Sequence, residues 1–148
     1  MPATHIDLYY PNSRIGDTLA LAQSKLLNQC IEMDRDVNDF RYGCDLFELG
    51  FCKLLNNHVD EAEKLLKQAD ALIGEPATAG IVHTYGDLHS VMAFCAQTRG
   101  DFDEAIREAK LARDACRKFD LTSNTKQFSQ QVSNLEKLAR EQTEKSIQ

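Results

Sequence analysis

The chain has 148 residues, of which 43% are hydrophobic and 27% are charged, and its formal net charge at pH 7 is −6. This composition excludes an intrinsically disordered chain, and the length is sufficient for one domain with a hydrophobic core. The acidic balance and the lack of a basic run argue against nucleic acid binding, because phosphate contacts need clustered Lys and Arg.

Membrane and secretory signals are also missing from the sequence. No stretch approaches the roughly 20 apolar residues that a membrane-spanning helix needs. The first residues, MPATHIDLYYPNSR, lack the basic start and the apolar run of a signal peptide. The cysteines are odd in number and lie within helical patterns, so we expect small buried residues of a reducing compartment rather than disulfide partners. They are Cys30, Cys44, Cys52, Cys95 and Cys116. The sequence therefore predicts a cytoplasmic protein.

The first two predicted helices differ in how their apolar residues are arranged. Residues 16–33 place small or apolar residues at spacings of three and four, which predicts an amphipathic helix. Residues 34–36, DRD, offer a break and a helix cap. A second helix runs from about Val37 to Leu55, and its centre is apolar almost all round, so we expect it to lie between two neighbours or beneath a bound partner. The stripe of the first helix is Leu19, Ala22, Leu26, Cys30 and Met33.

The next two predicted helices flank a loop rich in glycine. The third helix, Val59 to Leu72, ends at the loop IGEPATAG, residues 73–80. The fourth runs from about Ile81 to Thr98. Their apolar stripes are Ala62, Leu65, Leu66, Ala69 and Leu72 in the third helix, and Leu88, Val91, Met92, Cys95 and Ala96 in the fourth.

The last two predicted helices complete an all-α chain. Asp101 is the expected N-cap of the fifth helix, and Glu104 three residues later indicates a capping box. A cap at Thr122 or Ser123 precedes the last helix, roughly residues 125–145. No strand pattern is present, so we predict about six helices joined by short loops. The stripes are Ala105, Ala109, Ala112 and Ala115 or Cys116, and then Phe128, Val132, Leu135 and Leu138.

Two segments of the chain repeat each other. NNHVDEAEKLLKQA, residues 56–69, matches RGDFDEAIREAKLA, residues 99–112, and places Ala62 and Ala105 at a spacing of 43. Repetition of a helix pair is typical of helical-repeat proteins. The small residues at Gly50, Ala62, Ala93 and Ala105 are expected to let the helices of each pair cross closely.

These residues resemble the tetratricopeptide repeat, with Leu49-Gly50 or Met92-Ala93 in the first helix of each pair. The spacing of 43 is longer than the usual 34 or so of this repeat. The usual aromatic of the first helix is replaced by Lys53 and by Ala96. The resemblance implies a right-handed array of helix hairpins in a single domain, residues 1–148. Its parts would be a degenerate N-terminal repeat helix at 14–35, repeats at 37–73 and 81–119, and a C-terminal capping helix at 122–147.

The resemblance also implies a binding surface, because the first helices of such pairs line a concave face. We therefore expect a non-catalytic adaptor or scaffold, without cofactors, that binds a peptide segment of another protein. Acidic side chains would favour partners with basic flanks. The strip could equally be core, covered by the N-terminal helix or the C-terminal cap. The implied partner-binding residues are Phe47, Glu48, Phe51, Leu54, Asp87, Val91 and Phe94, with Cys44, Ser90 and Gln97 beside them.

Three other functions stay open at this point: a self-associating homodimer, a dedicated secretion or assembly chaperone, and a small enzyme or ligand-binding domain using His83, Asp87 and His89. The enzyme alternative has no motif behind it, since the chain has neither a nucleophile elbow nor a phosphate-binding glycine loop. His83, His89 and Cys95 are each six residues apart, whereas metal ligands on one helix face need spacings of three or four. We therefore predict no catalytic and no metal site.

Overall fold

The computed structural model describes residues 17–34 and 39–147, and within them α-helix is the only regular secondary structure. The predicted all-α class is confirmed for this part of the chain. The helices are α1 (Asp17–Asp34), α2 (Asp39–Leu55), α3 (Val59–Ile73), α4 (Ala79–Thr98), α5 (Phe102–Lys118) and α6 (Thr122–Ile147). None of these helices is long and apolar enough to cross a membrane. The predicted cap around Asp36 lies outside the described residues. The chain divides into two compact units, Met1–Ile73 and Gly74–Gln148.

In the first unit, α2 packs against both α1 and α3. Gly50 allows the close approach of α2 and α3, because a Cβ at that position would lie 3.1 Å from Cγ and Cδ2 of Leu66. The role predicted for this small residue is confirmed. Gly43, about two turns earlier, is tighter still, since its Cβ would lie 2.9 Å from Cγ1 of Ile73.

The predicted buried face of α1 is wrong. Leu26 is 62% exposed and Cys30 is also exposed, whereas Ser24 and Ile31 are buried. A second apolar row at Leu27 and Ile31 runs beside the predicted one, and this row faces the protein instead. The helix has weakly separated apolar and polar sides, so its periodicity alone did not distinguish the two rows. Leu19, Ala22 and Met33 lie outside the described side chains.

In the second unit, α5 packs between α4 and α6, and α4 also contacts α6. The alanine stripe predicted for α5 is buried, and Cys116 rather than Ala115 completes it. The core cluster consists of Ala93, Ala96, Ala105, Ala109, Val132 and Leu135. Small side chains on α4 and α5 leave room for the larger ones of α6, which is why α6 covers this hairpin.

The two helix hairpins are built alike, at the spacing that the sequence predicts. Asn57 and Gly100, which are 43 residues apart, both adopt a left-handed backbone, with φ of 65° and 79°. Gly43 and Gly86, also 43 apart, both approach the second helix of their hairpin. The turns share a hydrogen bond of 2.9 Å to the preceding helix, from His58 N–H to the Lys53 carbonyl and from Asp101 N–H to the Ala96 carbonyl.

Helix starts agree with the predictions only in part. Asp101 caps α5, since its Oδ1 accepts a hydrogen bond from Glu104 N–H at 3.1 Å. The reciprocal half of the predicted capping box does not form, because the Glu104 carboxylate pairs with Arg107 and Asp101 N–H is already bonded in the turn. Thr122 and Ser123 are not caps, because α6 already begins at Thr122; two residues earlier, the φ of 57° at Asp120 reverses the chain.

Candidate functional site

One face of α2 carries half-buried apolar side chains around an exposed carboxylate. We call it the α2 face; its members recur at spacings of three and four, which places them on one side of the helix. The Phe47 and Phe51 rings stack, with centroids 6.5 Å apart and planes at 27°. Leu54, the other predicted contact on this helix, is 7% exposed and belongs to the core. The α2 face consists of Cys44, Phe47, Glu48, Phe51 and Leu55.

The Glu48 carboxylate is exposed but partly screened from water by its neighbours. Burial raises the pKa of Glu48, although the residue as a whole is exposed by surface area. Its charge in turn adds to the effect of burial in raising the pKa of the Cys44 and Cys52 thiols, which lie one turn before and one turn after it. No cationic side chain pairs with Glu48 among the residues that the structure describes. This charge therefore lies beside two aromatic rings without compensation from the described part of the protein.

The predicted contacts on α4 are placed differently. Asp87 is half-buried, but Val91 and Phe94 are only 1% and 3% exposed. In this conformation, Val91 and Phe94 offer almost no surface to a partner. The partner-binding role of the predicted residues stays a prediction, and the ones that reach solvent are Phe47, Glu48, Phe51 and Asp87.

A buried acid–base pair joins α4 to α5, and the sequence analysis missed it. His89 Nδ1 lies 2.5 Å from Glu108 Oε2, and both side chains are buried. The Tyr85 ring covers the imidazole, with ring centroids 4.2 Å apart. Arg107 lies 3.9 Å from the other carboxylate oxygen of Glu108. A signal for Glu108 existed, because it follows Ala105 by three residues and therefore lies on the buried alanine stripe.

A second buried polar pair joins α4 to α6. The Ser90 hydroxyl donates to Gln131 Oε1 at 2.7 Å, and Gln131 Nε2 donates to the Ser90 carbonyl at 3.2 Å. Gln131 lies between Phe128 and Leu135 on the apolar stripe of α6, which is the spacing that could have identified it as buried. Both pairs satisfy polar groups that would be costly to bury alone.

The residues of the enzyme alternative do not converge on a site. His83 is exposed, whereas His89 is buried and engaged with Glu108. Within the described residues, no group of three or more His, Cys, Asp or Glu side chains is arranged to hold a metal ion. The fully buried Cys116 is a poor nucleophile, since burial, aided by the charge of Asp87, raises the pKa of its thiol to about 11.

Comparison with known proteins identifies no relative. No protein-family model, curated protein or solved structure matches the chain. The tetratricopeptide resemblance therefore rests on the residues of this chain alone, and membership of that family stays a prediction.

Proposed function

We propose that this protein is a non-catalytic interaction module whose α2 face binds a segment of another protein. The observation that carries the proposal is the stacked Phe47–Phe51 pair, which is partly exposed on a helix already packed against α1 and α3. We further propose that the two hairpins are repeats of the tetratricopeptide kind, arranged as a right-handed array. The turn and glycine positions that recur at a spacing of 43 support this kinship.

Further burial of the two rings would contribute to the binding free energy. A fully buried large apolar side chain contributes about 1.5–3 kcal/mol relative to an exposed one. Phe47 and Phe51 are already partly buried, so each would contribute at most about 1 kcal/mol when a partner covers the remaining surface. Aromatic residues also lose little conformational entropy on binding, and a stacked pair is held in place before the partner arrives.

Affinity capture from a lysate of the source cells, read by mass spectrometry, tests this proposal. The baits are the wild type, Phe47→Asp/Phe51→Asp, and Leu26→Asp/Leu111→Asp as a matched control. The control replaces two apolar side chains, 62% and 41% exposed, that are not members of the α2 face. We expect a discrete partner that is retained by the control and lost by the Phe47/Phe51 variant, whose helicity is checked by circular dichroism.

Two results would contradict the proposal. Capture of the same proteins, or of none, by the wild type and by a folded Phe47/Phe51 variant would show that the α2 face binds no partner. If the Asp variant unfolds, Phe47→Gln/Phe51→Gln repeats the comparison with a smaller perturbation. A dimer in light scattering that dissociates on Phe51→Asp, with no partner captured, would replace this proposal by self-association through the same face.

A further inference from the structure

We infer that the α2 face accepts an arginine side chain of the partner segment, with the guanidinium against the Phe47 and Phe51 rings and paired with the Glu48 carboxylate. This inference rests on the proposed function and specifies its ligand chemistry. It starts from the position of Glu48, which follows Phe47 directly and precedes Phe51 by three residues. Residues three apart on a helix are neighbours, so carboxylate and ring are within reach of one bound group.

Glu48 is a charged residue on an otherwise apolar face, and its presence there needs an explanation. Burial raises the pKa of Glu48, so the charged form of this exposed residue is disfavoured, and a nearby cation would favour that form again. The described residues supply no such cation, whereas other acids on the same unit are paired: Glu61 lies 3.3 Å from Lys53, and Glu63 lies 3.0 Å from Lys67. A cation from outside the described chain would complete the arrangement.

The second hairpin shows that hairpin packing does not require these residues. At the spacing of 43, Glu48 corresponds to Val91 and Phe47 corresponds to Ser90. Val91 is buried, and Ser90 is bonded to Gln131 of α6. One hairpin therefore uses these two positions for internal packing. The other presents an aromatic ring and a carboxylate there, so Phe47 and Glu48 depart from the packing of the second hairpin, whereas Phe51 corresponds to the buried Phe94.

Arginine fits this pair of features better than other side chains. A cation is attracted to the face of an aromatic ring, and the planar guanidinium can stack on a ring while its N–H groups bond a carboxylate. The apolar stem of arginine would lie along Leu55 or Cys44, the remaining half-buried members of the face. The net charge of −6 favours a basic segment at longer range.

Titration of the isotope-labelled protein with N-acetyl-arginine amide, followed by NMR, tests the inference directly. N-acetyl-citrulline amide is the control probe, because it has nearly the same shape and no charge. We expect resonance shifts confined to the α2 face, and binding of the citrulline probe weaker by about fivefold or more. Glu48→Gln should weaken arginine binding by a similar factor, whereas Glu136→Gln, at an exposed carboxylate of α6, should leave it unchanged.

Equal binding of the two probes, shifts elsewhere on the surface, or an unchanged affinity in Glu48→Gln would each overturn the inference. The capture experiment separates it from the proposed function. A partner that is lost by the Phe47/Phe51 variant but retained by Glu48→Gln would keep the α2 face as an interaction surface and remove the arginine. A partner that is lost by both variants supports both the α2 face as an interaction surface and the arginine contact at Glu48.

Discussion

Substitution of Gly86 by alanine should destabilise the second unit, even though alanine is the better helix former. A Cβ at this position would lie 2.9 Å from Cε2 of Phe128 and 3.2 Å from Sγ of Cys116. Both neighbours are fully buried and have little room to move. Overpacking of this kind costs about 1–3 kcal/mol, and replacing a helical glycine recovers about 0.5–1 kcal/mol. We therefore expect a net loss of about 1–2 kcal/mol.

Gly80→Ala provides a matched control in the same helix. The nearest atom to its Cβ would be Thr78 Oγ1 at 3.9 Å, so the substitution meets no obstacle. It should leave stability unchanged or raise it by up to about 1 kcal/mol. Urea unfolding followed by circular dichroism measures both variants. If Gly86→Ala proves as stable as Gly80→Ala, the close contact of α4 with Phe128 does not exist and the packing derived for this unit is wrong.

Three further predictions concern titratable groups. Glu48→Gln should raise the thermal midpoint of unfolding at pH 7, because burial disfavours the charged carboxylate in the folded state. The gain should vanish near pH 4, below the ordinary Glu pKa of 4.5, because Glu48 is then protonated in both the folded and the unfolded state. An equal gain at both pH values would refute this. Glu108→Ala should cost about 3 kcal/mol in urea unfolding, whereas the apolar double variant His89→Phe/Glu108→Leu should recover most of that loss; additive losses would show that the pair is not coupled. A thiol reagent at pH 8 should label exposed Cys30 first and Cys116 last, since the latter is buried with its pKa raised to about 11; the reverse order would contradict the burial described.

The part of the fold that the sequence predicts is the part set by local chemistry. Few residues cap a helix as well as Asp101 or turn the chain as well as Gly100. Both features can therefore be predicted from a few neighbouring residues. The small-residue stripe of α5 can be predicted for the same reason, since four small residues at helical spacing require a close neighbour. The Phe47–Phe51 pair was found because two aromatics four residues apart must share a helix face.

The features that the sequence does not predict are those that depend on which of several possible neighbours a residue contacts in the folded protein. Leu26 is as apolar as Leu27, and only tertiary packing decides which one is buried on α1. Gly86 is indistinguishable from a flexible glycine until Phe128, more than 40 residues later, is seen to fill the space above it. The position of Glu108 on the alanine stripe indicates that it is buried, but the sequence does not show that its partner is His89, because the two residues meet across two helices.

The exchange of two hydrogen bonds between Ser90 and Gln131 has a consequence for the alignment of α6. A row of alanines is a smooth surface, on which a helix can slide by a turn with little change in apolar contact. A slide of one turn would move Gln131 about 5.4 Å along the helix axis and leave both it and the Ser90 hydroxyl buried without a bond. Leaving two buried polar groups without hydrogen bonds costs about 1–3 kcal/mol each, which exceeds any gain in apolar contact from the slide. This single polar pair therefore defines the register of the last helix.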